Sequence, residues 1–234
     1  MTEPALSVAF FDVARRLYGS ARSGIAVLFE DDRHRVVDEP PALVRDGEGW
    51  VAQLGPDAEV RFEPASEPAE LDGARTLLCR VRGRIGGRDL ACVGVATETN
   101  VPPAWSELDA TRYLVAAFDA ENGFVAQARR PRGAPGHGEE AVAAALFEAG
   151  ELRSVEELRL STIYDGECRQ RTAGIELWLP GEEFPRRAVG EARAGVSLSL
   201  EGLRVQLAML TWRLDDREGA GTYELTVREE EAAA

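Results

Sequence analysis

Along the whole chain, short segments alternate apolar with polar residues or cluster β-branched ones, and Gly, Pro, Asp and Asn punctuate them. Alternation with period two sends successive side chains to opposite faces of an extended strand, so the pattern predicts many antiparallel strands. The expected strands before residue 100 cover residues 20–29, 34–37, 50–54, 59–62, 75–82 and 88–96. After a break come 112–118, 124–129, 158–164, 171–179, 186–192, 195–200, 203–214 and 222–228. Turns are expected at Glu30-Asp31-Asp32, Asp46-Gly47, Gly86-Gly87, Glu121-Asn122-Gly123 and Glu201-Gly202, where Asn-Gly and Gly-Gly supply the positive φ that tight hairpins need.

Two segments carry helical signals. Residues 8–17 have room for a turn or two, and residues 139–149 combine strong helix formers with Gly150 as a stop. Val142, Ala144 and Leu146 in the second segment also fit an alternating strand, so helix and strand both stand there. Two consecutive prolines within 98–106 mark an extended connector. The expectation is an all-β chain of two domains, 1–101 and 102–234, each a β-barrel or half-barrel, packed together. The alternative is one large β-sandwich with a short helical insertion near 139–150. The apolar strand of residues 22–31 resembles that of 112–121, each ending in Phe and an acidic turn. Gly-centred hairpins at 80–95 and 192–212 add a second parallel between the halves.

Composition then removes reaction classes. All 27 basic residues are arginine, and lysine is absent. That excludes Schiff-base chemistry on an enzyme amine, including the pyridoxal-phosphate class, and the P-loop and protein-kinase mechanisms that need a lysine. The net charge of −14 argues against nucleic-acid binding and against docking on anionic membranes. No apolar run reaches the ~20 residues of a membrane span, and no signal peptide is visible, so the expected compartment is the cytoplasm. Cys79, Cys92 and Cys168 lack the CxxC spacing of a zinc cluster. Cys79 and Cys92 are expected either to pair across neighbouring strands or to be two buried thiols.

Candidate chemistry concentrates in the second half. On the strand 170–179, Glu176 and Trp178 share one face and Ala173, Ile175 and Leu177 the other. If the first face lines a cavity, desolvation would make Glu176 a proton donor beside an aromatic wall; if it faces out, Glu176 is simply solvated. Tyr164 and Asp165 precede Gly166, either as a hydrogen-bonding pair at a barrel mouth or as turn-shaping residues. The loop 129–140 holds Arg130 and His137 beside Glu139 and Glu140. His137 with a carboxylate could transfer a proton, Arg130 could hold a ligand carboxylate, and the bland reading is a charged surface loop. Trp212 lies on a strand apolar on both faces and is a cavity-wall candidate.

Several short segments are similar to the two-domain lipocalin-like family that includes the carotenoid hydratases (hydroxyneurosporene synthases) and uncharacterised bacterial relatives. They are Phe11-Asp12 with Leu17-Tyr18-Gly19, Arg130-Pro131 with His137-Gly138-Glu139, Leu160-Ser161-Thr162 with Tyr164-Asp165-Gly166, and Ile175-Glu176-Leu177-Trp178. The resemblance is one of organisation along nearly the whole chain, and no single motif is specific. It implies an apolar cavity in one or both barrels and a lipophilic or polycyclic ligand. Three functions therefore remain open: a binder of an apolar, isoprenoid- or polyketide-like molecule; a hydratase, isomerase or cyclase with a carboxylic acid as proton donor; and an interaction module with filled barrels. The catalytic candidates are Glu176, Asp165 and His137, and the ligand-contact candidates Tyr164, Trp178, Trp212 and Arg130. No cofactor or metal is expected, and a homodimer is left open.

Overall fold

A computed structural model of the chain describes residues 4–229 apart from residue 168. The first half holds ten strands: β1 (Ala5–Asp12), β2 (Leu17–Arg22), β3 (Ile25–Glu30), β4 (Arg33–Val36), β5 (Ala42–Asp46), β6 (Gly49–Gln53), β7 (Ala58–Pro64), β8 (Ala69–Leu71), β9 (Ala74–Ile85) and β10 (Arg88–Thr99). The second holds nine: β11 (Leu108–Ala117), β12 (Gly123–Pro131), β13 (Ala141–Glu148), β14 (Glu151–Ser154), β15 (Glu157–Tyr164), β16 (Gln170–Trp178), β17 (Arg186–Leu200), β18 (Leu203–Leu214) and β19 (Arg217–Arg228). One 3₁₀ turn, His137–Glu139, precedes β13. The strands form two curled antiparallel half-barrels packed together, which replaces the single sandwich with a helical insertion.

The two sheets follow one path. In the first the order is β4-β3-β2-β1-β10-β9-β7-β6-β5, with β8 beside β9; in the second it is β14-β13-β12-β11-β19-β18-β17-β16-β15. Each half starts at its centre, walks by hairpins to one edge, crosses to the other edge and walks back. By this order β11 corresponds to β1, and β3 to β13. The parallel drawn between residues 22–31 and 112–121 therefore joins different places in the repeat. The same holds for the hairpins, since β9–β10 corresponds to β18–β19.

Both helical signals resolve as strand. Residues 5–12 form β1, and Ala141–Glu148 form β13. Burial on two faces overrides propensity here. Phe10 points into the core of the first half-barrel, while Phe11 points into the layer between the halves. In β13, Leu146 faces the second core and Phe147 the shared layer. The segment 20–29 is a hairpin, broken where Gly24 adopts φ 85°. The connector expected at 98–106 begins two residues later, at 100: β10 runs to Thr99, and Glu98 lies inside the first half-barrel.

Three apolar cores result. One fills each half-barrel, and the third joins Phe11, Phe29 and Leu78 of the first half to Val125, Phe147 and Met209 of the second. Polar contacts fasten the same layer: Arg22 to Glu224 at 2.8 Å, Arg80 to Glu121 at 2.6 Å, and Tyr113 Oη to the hydroxyls of Thr76 and Thr97 at 2.7 and 3.0 Å. Cys79 and Cys92 are free thiols packed in the first core, and burial raises both to about 12. Cys168 lies outside the described residues. Among the described residues, no helix is long and apolar enough to cross a membrane.

Candidate functional site

Strand register builds the interior of the second half-barrel in rows, because residues directly opposite on antiparallel strands share a face. Across β12-β11-β19-β18, the outer row is Arg130, Ala110, Val227 and Arg204. The next is Ala128, Arg112, Leu225 and Gln206; below it lie Ala126, Leu114, Tyr223 and Ala208. The deepest side chains are aromatic: Phe124 meets Trp212 edge to face, with ring centroids 5.0 Å apart. The interior thus grades from a charged rim to an apolar floor. Tyr164, at the end of β15, closes the rim from the side.

At this rim lies a recess of about 240 Å³ with almost wholly apolar walls, including Ala110, Leu225 and Val227. Three polar atoms border it that are buried and lack a hydrogen-bond partner among the described residues: Tyr164 Oη, Gln206 Oε1 and Arg130 Nε. A buried polar group without a partner costs about 1–3 kcal/mol, so such groups call for a partner that arrives from outside. Burial, followed by the neighbouring Tyr223, pushes the Tyr164 phenol up to about 12. It therefore stays protonated at neutral pH and can donate. Thr162 Oγ1 and Tyr223 Oη satisfy each other at 2.8 Å below it. Arg112 Nη2 donates to Glu140 Oε2, and this ion pair is almost fully buried, with side chains 4% and 2% exposed.

Two other concavities border on ion pairs and hydrogen bonds. A basin of about 1120 Å³ opens at the end of the first half-barrel, over Leu17, Leu28 and Leu54. Its rim pairs Arg88 with Glu30 at 2.8 Å and Arg16 with Asp31 at 3.2 Å. A cleft of about 280 Å³ lies between the halves, where Tyr113 is held by two threonines and Arg22 by Glu224.

Tyr164, Arg130 and Trp212 come together in the second half-barrel, the first two at the recess and Trp212 in the packed floor beneath it. Glu176 and Trp178 face the opposite way. The inward face of β16 is Ala173, Ile175 and Leu177, so Glu176 lies outside the cavity, bonded to Arg187 Nε at 3.0 Å. The guanidinium of Arg159 sits 5.4 Å from the Trp178 ring centre on the same outer face. Asp165 shapes the turn after Tyr164. Its carboxylate accepts from the backbone N–H groups of Glu167 and Arg169, both at 2.9 Å, and these bonds, with the Arg169 guanidinium, hold its pKa below the usual value. The side chain of His137 lies outside the described residues. Sequence reasoning missed Gln206 and Arg112, and it named Glu140 only as a possible partner of His137, not of Arg112. Gln206 was legible as the polar residue in the apolar inward row of Ala208, Leu210 and Trp212, and Arg112 likewise beside Leu114 and Ala116. Glu140 sat in a loop whose course had no period to read.

The fold and this geometry place the chain among two-half-barrel, lipocalin-like proteins. One similar solved structure is CghA, with a TM-score of 0.63, 9% identity, and coverage of 99% of this chain and 90% of that one. Another is kievitone hydratase from Nectria haematococca, with a TM-score of 0.57, 8% identity, and coverage of 97% and 89%. At such identities the likeness is one of fold. No protein-family model matches the chain, and no curated protein matches it in sequence.

Proposed function

We propose that the protein binds an apolar small molecule in the second half-barrel, with its polar end at Tyr164, Arg130 and Gln206. One observation carries this reading: three buried, partnerless polar atoms converge on one apolar recess. Ligand sites combine apolar walls with a few placed polar groups in this way. The test uses the neutral fluorophore N-phenyl-1-naphthylamine. It should bind the protein, and Ala110→Phe, which fills the recess, should weaken binding at least about tenfold by excluding the ring. Binding unaffected by the filled recess would move the ligand elsewhere and end this reading.

A catalytic reading rests on the same atoms and on the neighbour named as a hydratase. Tyr164 and Arg130 donating to a carbonyl oxygen would polarise a conjugated C=C, as addition of water or ring closure requires. The acid–base role then passes from Glu176, which is engaged outside, to Tyr164 and to the loop of His137 and Glu140. Asp165 acts only by holding the turn that follows Tyr164. Tyr164→Phe should abolish turnover and leave the fold intact; full activity in that variant would remove Tyr164 from the chemistry.

A further inference from the structure

We infer that the ligand of the second half-barrel is an amphipathic anion, an apolar body carrying one carboxylate, sulfonate or enolate group held between Arg130 and Arg204. This rests on the proposed binding site and adds the charge of what enters it. The two arginines stand at opposite ends of the outer inward-facing row, separated by Ala110 and Val227. Among the described residues neither has an ion-pair partner, although most arginines elsewhere in the molecule do. The nearest interior carboxylate, Glu140, already faces Arg112 in the row below. The recess thus carries two uncompensated positive charges in a chain of net charge −14.

The charges are set where an anion would gain most. Arg130 Nε is buried and points its N–H at no acceptor among the described residues. Tyr164 supplies a neutral O–H donor beside it, and Arg204 is exposed at the rim, where a ligand first arrives. Guanidinium groups bind planar anions through two parallel N–H donors and remain charged at every relevant pH. In the row below, the charge of Arg112 is met by Glu140, and beyond it the walls become Leu114, Tyr223 and Trp212, none of which is charged. Head at the rim and body toward the floor is the only orientation in which both ends are matched.

The experiment compares two probes that share one ring system: 8-anilinonaphthalene-1-sulfonate and N-phenyl-1-naphthylamine, which lacks the sulfonate. The wild-type protein should bind the sulfonate at least about tenfold more tightly, as a charge-assisted hydrogen bond provides. Arg130→Met should remove most of that advantage and leave the neutral probe within about twofold. Arg204→Met tests the same preference at an exposed rim position, where folding is not at stake. Val227→Glu, which sets a carboxylate between the two arginines, should reverse the preference. Equal binding of both probes, or equal losses of both in the arginine variants, would overturn the anion and leave the binding site standing. No binding of either probe would overturn both.

Discussion

The two half-barrels share a strand order but treat the charge at corresponding ends of their strands differently. In the first, the outer row runs Leu6, Glu98, Arg75. Glu98 accepts from Arg75 at 3.1 Å, from Arg45 at 2.9 Å and from Trp50 Nε1 at 3.2 Å. In the second, the outer row runs Ala110, Val227, Arg204. Where the first half has a carboxylate between strands, the second has Val227, and Arg130 and Arg204 of that row have no ion-pair partner among the described residues. In the first half this row is satisfied internally; in the second it leaves donors directed at an apolar recess. The frame is shared, and a few inward positions set the two halves apart.

Substitutions at matched places can break this comparison. The largest effect is expected at Glu140→Ala, which removes the carboxylate of a buried ion pair from Arg112 and should cost about 3–5 kcal/mol. Glu98→Ala should cost less, about 1–3 kcal/mol, because Arg45 is half exposed and regains water. Chemical denaturation measures both, and equal losses would show that burial does not distinguish the pairs. Next comes Gly190→Ala. Gly190 lies opposite Trp212 across the sheet, and a Cβ there would stand 2.8 Å from the indole, so about 1–3 kcal/mol should be lost.

Two identical substitutions should then have opposite signs. Tyr113→Phe breaks a satisfied cluster with Thr76 and Thr97 and should destabilise by about 1 kcal/mol. Tyr164→Phe removes an unpartnered hydroxyl and should be neutral or stabilising by up to about 1 kcal/mol in the ligand-free protein. The smallest effect is on pH dependence. Burial raises Tyr18, Tyr113 and Tyr164 above the ordinary phenol value of 10.0. The folded state then holds protons that the unfolded chain has released. The stability from Tyr164 is present in full below pH 10 and is lost as pH rises toward about 12. Absorbance titration should show phenolate forming later in the native protein than in guanidinium; coincident curves would contradict this.

Much of the frame was readable from alternation alone, because a strand with one buried face announces it. Residues 171–179 show this best: the two faces were separable from the residues, but which one is inward was not. That choice depends on the partner strands. The apolar set of Ala173, Ile175 and Leu177 took the core and left Glu176 and Trp178 outside. β1 and β13 were obscured because both of their faces are buried, which erases the alternation and leaves helix propensity as the stronger signal. Tyr164, Arg130 and Trp212 could be nominated singly. Their gathering, and the role of Gln206, follow from register across β12, β11, β19 and β18, which no local pattern carries.

Each sheet ends in strands that are neighbours in the chain: β4 and β5 in the first half, β14 and β15 in the second. β14 is exposed throughout, and only residues 155–156 connect it to β15. The cylinder is therefore stitched shut along one side by covalent chain rather than by a ladder of hydrogen bonds. A protease cut at that two-residue stitch would leave every paired strand in place yet free the wall to peel open, like a cuff losing its button. Amide exchange should be fast along the exposed β14 beside that stitch, while Glu156 N–H, which donates to Trp178 O at 2.8 Å, should exchange more slowly.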